Sequence, residues 1–350
     1  MPLMRSALIV CLSALCLAAP AQAVTTARTL SAAAVQEAAR YSRDKAELSL
    51  IVYQHGRVLL EEYPAGDAQT GQFVASLVKS LWGLAAAAAV QDGLLSLDEL
   101  VSSTFPDWKA DPRKARIKVR DLLSMTSGLD PGYDPLYNVD PDDAYQTALS
   151  LPAVNEPGEL FVYGPANMEV FGALMEKKLA RRGLSPLRYL EKRVLEPLGA
   201  GYTSWSRDHV GHPMMSSGAS MTARQLLAVG RLVARHGIWR GRSLLLADKL
   251  AQLLRGTDAN PTYGLTFWLN SNAAKPEAVE VDIEKTLSLG VDYDGWKSAC
   301  VSKAAPADLS VMVGSWNQRV YISPSLDLVV VRQGGGNEFT DAEFLGRLLK

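Results

Sequence analysis

The sequence predicts an α+β fold, an α/β sandwich in which one antiparallel sheet is formed from both chain ends and flanked by helices, with an inserted helical subdomain. Three observations predict it. Residues 47–63, ELSLIVYQHGRVLLEEY, read as two short strands joined at His55-Gly56, a hairpin signal. Between 310 and 333, SVMVGSW, QRVYIS and LDLVVVRQ read as three more strands with tight turns. Helical patterning dominates what lies between. The simplest packing joins the early and late strands in one sheet, with terminal helices on one face. The sheet region is expected over about 24–75 and 260–350 and the helical region over about 92–258, in a single domain spanning 24–350.

The chain of 350 residues opens with MPLMR, then the apolar run ALIVCLSALCLAA and the small-residue AQA at 21–23. That pattern predicts a secretory signal peptide over 1–23, cleaved after Ala23 to leave a mature chain of about 327 residues. The apolar run is too short to span a bilayer. A lipoprotein would need a small residue before a cysteine, and Cys11 and Cys16 follow Val10 and Leu15. The expected location is therefore secreted or periplasmic, with no stable membrane span in the mature chain. Both of those cysteines leave with the leader, so Cys300 stays alone and no intrachain disulfide can form.

SAAAVQEAAR at 31–40 suggests a helix before the hairpin. FVASLVKSLWGLAAAAAV at 73–90 carries one charge, Lys79, is apolar on every side and is rich in the best helix former. It predicts a buried helix that Gly93 ends. LLSLDELV and FPDWKADPRKA read as surface connections. VRDLLSMTSGLD begins as a short amphipathic helix and stops at Ser127-Gly128. Residues 130–160, rich in Asp, Pro, Gly and Tyr, form a long loop, a feature often tied to function. ANMEVFGALMEKKLARRG at 166–183 is a helix ending in Gly183, with further helices at 186–196, 222–236 and 244–254 and a closing one in DAEFLGRLLK. His55 and His236 read as turn and helix-end residues. Lys and Arg number 36, Asp and Glu 37, for a net charge of −1, and no basic run stands out. That argues against nucleic acid as a partner.

A lone ammonium inside an apolar helix is costly unless paired or neutralised. Burial and a nearby helix N-terminus both lower a lysine pKa, and a neutral amine is a base. Ser76 lies three residues earlier, on the same helix face. A serine hydroxyl becomes a good nucleophile when a base takes its proton, so Ser-x-x-Lys supplies both together. The Ser76 backbone N–H would form half of an oxyanion hole. The tetrapeptide alone also arises by chance, and Lys79 could snorkel to the surface instead.

Several ordered segments carry more weight than one tetrapeptide. FVASLVKSLWGLAAAAAVQDGLLSLDELV, IKVRDLLSMTSGLD, EPGELFVYGPANMEVFGALMEKK, SSGASMTARQLLAVGRLV, YGLTFWLN and QRVYISPSLDLVVVRQ follow one another along the chain. Together the sequence resembles the serine hydrolases related to class C β-lactamases, penicillin-binding proteins and their esterase and amidase cousins. The resemblance implies a β-lactamase/transpeptidase-like fold, Ser76 as the acylated nucleophile, Lys79 as its partner and Tyr163 as a second-motif tyrosine that passes protons. Without that context Tyr163 would read as a core tyrosine before a helix.

Two departures matter. The family's Tyr-x-Asn stands here as Tyr163-Gly164-Pro165. Asn167, two residues on, is left either to substitute at the substrate or to cap the next helix. The third motif, Lys-Thr-Gly or His-x-Gly in the family, corresponds to Met312-Val313-Gly314. Gly314 still lets the strand approach a substrate, and the Ser315 N–H would complete the oxyanion hole. The cation that suits a substrate carboxylate is gone. The expectation is an esterase or amidase acting on a small-molecule ester, amide or peptide-like substrate. Trp316, Tyr133, Tyr137 and Trp268 are candidates to line its site or simply to pack. A 6-aminohexanoate-oligomer-type hydrolase is one relative of that design. The alternatives are a β-lactamase or DD-peptidase, and an envelope protein of the same fold that binds a ligand with weak catalysis. No cofactor is implied. His209 and His212 in HVGH lack a third ligand at convincing spacing, so no metal site is expected. There is no Gly-x-Ser-x-Gly, HExxH or phosphate-binding loop.

Overall fold

The computed structural model describes residues 28–138, 141–287, 294–336 and 338–350. The leader predicted over 1–23 lies outside them. At the centre is a six-stranded sheet, antiparallel throughout, in the order Arg57–Glu62, Glu47–Gln54, Leu328–Gly334, Gln318–Ser323, Ser310–Gly314, Trp268–Leu269. The hairpin turns at His55 and Gly56, with φ of +48° and +81°, the left-handed pair that matches strand twist. Its first strand then pairs with the last strand of the chain, Val52 opposite Val330 and Ile51 opposite Val331. Both chain ends build one sheet, as the sequence predicts.

The late strands are buried along their whole length, which explains their near-continuous apolar reading. Alternation still sorts their side chains. Arg319, Tyr321 and Arg332 point to the terminal helices, Ala32–Asp44 and Asp341–Leu348. Tyr321 stacks on Phe344 with ring centres 5.7 Å apart, and Arg332 Nε donates to Ser42 Oγ at 2.9 Å. The two terminal helices also meet each other, where Lys350 pairs with Glu37 at 2.6 Å. Val320 and Val329 point the other way, against the Ala223–Ala234 helix. A Cβ on Gly230 of that helix would lie 2.6 Å from Val329 Cγ1, so only glycine lets the helix sit this close to the sheet. The helix starts are capped as their sequences allow: the Ser31 side chain accepts from Ala34 N, and Thr222 and Gln225 form a capping box.

The Ala-rich segment is a helix over Val78–Gln91, entered by a tight turn at Ala75–Leu77. Every residue from Val78 to Ala89 is buried. Gly93, at φ +68°, follows its end. A small three-stranded sheet (Gln72–Phe73, Ala219–Met221, Ser204–Trp205) fixes the entry to this helix, and Val74 N donates to Ala219 O at 3.0 Å. No helix among the described residues is long and apolar enough to cross a membrane. Cys300 is buried as a free thiol.

The helical region departs from expectation in detail. The helix predicted at 186–196 is broken into Pro186–Leu190, a wider turn at Glu191–Leu195 and Glu196–Leu198. Pro197 has no N–H to continue regular pairing there. The long loop holds a turn at Asp134–Asn138 and a helix at Ala144–Ser150, capped by the Asp143 side chain. YGLTFWLN contributes a strand of only two residues, Trp268–Leu269.

Glu47 opens the first strand at a register shift and is 5% exposed. Burial pushes its carboxyl up to about 8, both of its oxygens lacking a hydrogen-bond partner among the described residues, and the neighbouring Glu62 charge adds to the rise. The folded-state value lies above the unfolded one, so stability present below about pH 4.5 is lost as pH rises towards 8. Glu47→Gln is therefore expected to be more stable than wild type by a few kcal/mol at pH 8.5, with the gap closing below about pH 4.5, in urea titrations at both pH values.

Candidate active site

Ala75, at φ +49°, sits in left-handed backbone that an L-residue with a Cβ seldom adopts. It presents Ser76, half-buried, at the mouth of the Ala-rich helix. One turn on, Lys79 is 1% exposed. Its Nζ lies 2.9 Å from Ser76 Oγ, 2.7 Å from the Ser216 carbonyl oxygen and 3.2 Å from the Tyr137 hydroxyl. It also stands 4.8 Å from the centre of the Tyr163 ring. Burial lowers the Lys79 pKa, while Tyr163 and Glu169 pull it partly back. The structure thus brings Ser76, Lys79 and Tyr163 together, and Lys79 does not snorkel.

Tyr163 is held from both sides. Val162 N donates to Met125 O at 2.8 Å, and Ala166 N donates to Pro131 O at 3.0 Å. A Cβ on Gly164 would lie 2.7 Å from Pro131 O, so the residue between tyrosine and proline must be small. The Tyr163 ring packs against Tyr263 and Trp268, 6.0 and 6.1 Å away between centres. Burial raises its phenol pKa and the Lys79 charge opposes this. The Tyr133 hydroxyl donates to the Tyr163 carbonyl.

Pro165 takes the N-cap position of the Ala166–Leu179 helix, where a missing N–H is harmless. The capping alternative for Asn167 is thereby corrected. Asn167 lies inside the first turn, 1% exposed, and accepts from Ser127 Oγ. Of the two readings for Trp268, lining or packing, the structure shows packing: at 2% exposed it sits behind Tyr163 with Phe161, Tyr263 and Trp296.

Gly314 ends its strand against the turn that carries Ser76. A Cβ there would lie 2.1 Å from Val74 O and 3.1 Å from Leu77 N. Ser315 follows, exposed. The N–H groups of Trp316 and Asn317 donate to Glu284, at 3.1 and 2.9 Å. Trp316 and Phe73 form an exposed aromatic pair with centres 6.0 Å apart, and Tyr133 and Tyr137 form another at 6.2 Å. Met312 is buried and contributes no charge.

Two residues of this arrangement, Ser216 and Glu169, escaped sequence reasoning, and a third, Tyr137, was named only as a candidate to line the site or to pack. Tyr137 was legible only as an aromatic in a Tyr-rich loop, and nothing local pointed its hydroxyl at Lys79. The residue is exposed in part while its hydroxyl end lies beside buried Lys79, and that burial pushes the hydroxyl up to about 12. Ser216 acts through its backbone, which any residue carries. Glu169 had a signal, one acid inside the apolar run ANMEVFGALM. Among the described residues, Asp143, Asp208 and His212 bring possible metal-ligand atoms within 4.8 Å of one another. Asp208 already accepts from Ala144 N, His212 N and His212 Nδ1, as a staple between two loops. A cavity of about 770 Å³ elsewhere is lined by Trp108, Lys114, Gln146 and Lys177, away from Ser76.

Residues 30–330 match the family described as Beta-lactamase. The chain belongs to the Beta-lactamase family. It shares the fold of a class C β-lactamase from Rhodobacter sphaeroides (TM-score 0.64, 19% identity, covering 91% of this chain and 99% of that one). It likewise shares the fold of EstCE1, a hydrolase with promiscuous acyltransferase activity (TM-score 0.62, 17% identity, 91% and 98%). In sequence it is similar to monacolin J acid methylbutanoyltransferase of Aspergillus terreus, 32% identical over 163 residues, 39% of this chain and 38% of that enzyme. The chain spans about 38% of the length of the curated relatives it matches.

In this family member the fit of Gly314 against Val74 is testable. Gly314→Ala must move either the strand end or the Ser76 turn, since backbone cannot give way as a flexible side chain does. The expected loss is about 1–3 kcal/mol of stability, read by urea denaturation.

Proposed function

We propose that this protein is an exported serine hydrolase that forms an acyl-enzyme at Ser76 and hydrolyses a small ester or amide. The observation that carries the reading is a buried amine 2.9 Å from a half-buried serine hydroxyl. A neutral lysine amine has two N–H groups and one lone pair. The Ser216 carbonyl can only accept, so it takes one N–H, and the Tyr137 oxygen takes the other. The lone pair is left for the Ser76 proton.

Ser76 Oγ attacks the substrate carbonyl carbon as its proton passes to Lys79 Nζ. The N–H groups of Ser76 and Ser315 are the donors for the oxyanion that forms. Collapse of the tetrahedral intermediate breaks the bond to the leaving group, which takes the proton from Lys79 directly or through the Tyr163 or Tyr137 hydroxyl. Water then attacks the acyl carbon as its proton passes to the same amine, the Ser76 Oγ–carbon bond breaks, and Lys79 returns that proton to Ser76 as the acid leaves. An alcohol in place of water would give acyl transfer, the reaction named for the fungal relative and for EstCE1.

Met312 stands where the family carries a cation, and the aromatic pairs Phe73–Trp316 and Tyr133–Tyr137 flank the mouth. Both favour an uncharged, apolar acyl group over a β-lactam or peptide carboxylate. The export of the chain rests on the leader read in residues 1–23.

A fluorophosphonate probe is expected to label the wild-type protein, and Ser76→Ala to abolish labelling. Equal labelling of the variant would sink the assignment. Short-chain nitrophenyl esters are expected to turn over faster than nitrocefin. Ligand binding without any turnover would favour the binding-protein alternative. Lys79→Met is expected to lower the rate by about 10²–10⁴-fold. Because burial depresses the Lys79 pKa, the labelling rate should rise with pH as the amine deprotonates, with its midpoint below that of an ordinary lysine. A midpoint near the ordinary lysine value would count against Lys79 as the base.

A further inference from the structure

We propose that Glu169 is a positioning residue for this reaction: it clamps residues 215 and 216 so that the Ser216 carbonyl aims the Lys79 amine at Ser76, and it supplies the counter-charge that sets how readily that amine is protonated. The proposal rests on the Ser76 and Lys79 reading above.

Glu169 is 0% exposed, in the first turn of the Ala166–Leu179 helix. Its carboxylate accepts from Met215 N at 3.1 Å, from Ser216 N at 3.0 Å and from Ser216 Oγ at 2.8 Å. No cation hydrogen-bonds to it among the described residues, so these N–H and O–H groups are what hold its charge. A buried carboxylate without a direct ionic partner is costly, and an apolar side chain would pack there more cheaply. What the carboxylate achieves lies on the other side of Ser216, whose carbonyl receives the Lys79 ammonium or amine at 2.7 Å.

The clamped segment has no regular structure of its own to fix it. It runs into Gly218, at φ +102°, before pairing resumes at Ala219–Met221. The helix is built to meet it closely. A Cβ on Gly172 would lie 2.6 Å from both Met215 Cγ and the Tyr145 ring. Without the carboxylate, the direction of the Ser216 carbonyl would be set only by neighbours further along the chain. A carbonyl that swings away would free the second N–H of Lys79 to compete for the Ser76 oxygen, and the lone pair would lose its aim.

The titratable groups that face Glu169 are Lys79 from the Ala-rich helix, Tyr137 from the Asp134–Asn138 turn and Tyr145 from the Ala144–Ser150 helix. Burial raises the Glu169 carboxyl to about 7, with the Ser216 and Met215 donors and Lys79 working against the rise. It therefore changes charge in the range where the enzyme is expected to work, next to the amine whose charge decides reactivity.

The test is the pH profile of fluorophosphonate labelling of the full chain, for wild type, Glu169→Gln and Ser216→Ala, each with its Tm. Loss of the anion removes what stabilises the Lys79 ammonium, so the acid limb of the Glu169→Gln profile should move to lower pH by about half a unit or more. Its plateau rate should fall about tenfold through lost aim, with KM for a nitrophenyl ester little changed. Ser216→Ala removes one donor to the carboxylate, leaves it more protonated and should move the limb the same way by less. A residue that only closed a loop would lower Tm and plateau without moving the limb. An unmoved limb in folded Glu169→Gln, or in Ser216→Ala if the former does not fold, overturns this proposal. An unlabelled wild type removes the Ser76 reading, and this one with it.

Discussion

A single amine held out of water organises this molecule. Lys79 is surrounded by the apolar wall of its own helix, and among the described residues its close polar company is Ser76, Ser216, Tyr137 and the face of Tyr163. Burying an ammonium is expensive, and each of those contacts answers the expense in a different way. The carbonyl offers a dipole, the tyrosine hydroxyl an acceptor, the aromatic ring a negative face. None is a carboxylate in direct contact. A carboxylate there would secure the charge and hold the amine protonated.

The rest of the fold can be understood as the means of bringing four chain segments to that amine. The small sheet pins the start of the Ala-rich helix. The Met125 and Pro131 carbonyls pin Tyr163. The end of the Ser310–Gly314 strand leans on the Ser76 turn, and buried Arg319 holds that end in place. Its guanidinium donates to the Gly314 carbonyl at 3.0 Å and pairs with Asp341 at 2.8 Å. Asp341 begins the last helix and also accepts from Tyr321. The far terminus is thus wired, through two buried charges, to the backbone beside the nucleophile candidate.

Much of this was legible in the sequence, and what was not has physical reasons. Strand pairing between the two ends followed from alternation and turn residues, signals local to each segment. Ser76 and Lys79 were visible because an i, i+3 pair on one helix is fixed by helix geometry alone. Tyr163 needed a resemblance, since its neighbour Pro165 departs from the usual motif. Tyr137 was visible as a lining aromatic but not as a partner of Lys79, because it arrives from a loop whose path no periodicity encodes; Ser216 was out of reach because it meets the amine through its backbone carbonyl. Trp268 stayed open between lining the site and packing, and Asn167 between meeting substrate and capping a helix, because polarity and aromaticity cannot say which way a side chain turns. Glu169 was available as an anomaly, an acid within an apolar helix face, and only the structure connects it to the amine.

The pairing of Val52 with Val330 has a consequence for how the chain is made. As it emerges from the ribosome, the early hairpin has no neighbour on one edge until the final strands arrive. Its central sheet cannot close during synthesis, and the apolar late strands reach it last. That delay leaves a strand edge open until its distant partner appears, a stretch of synthesis in which that edge could pair wrongly.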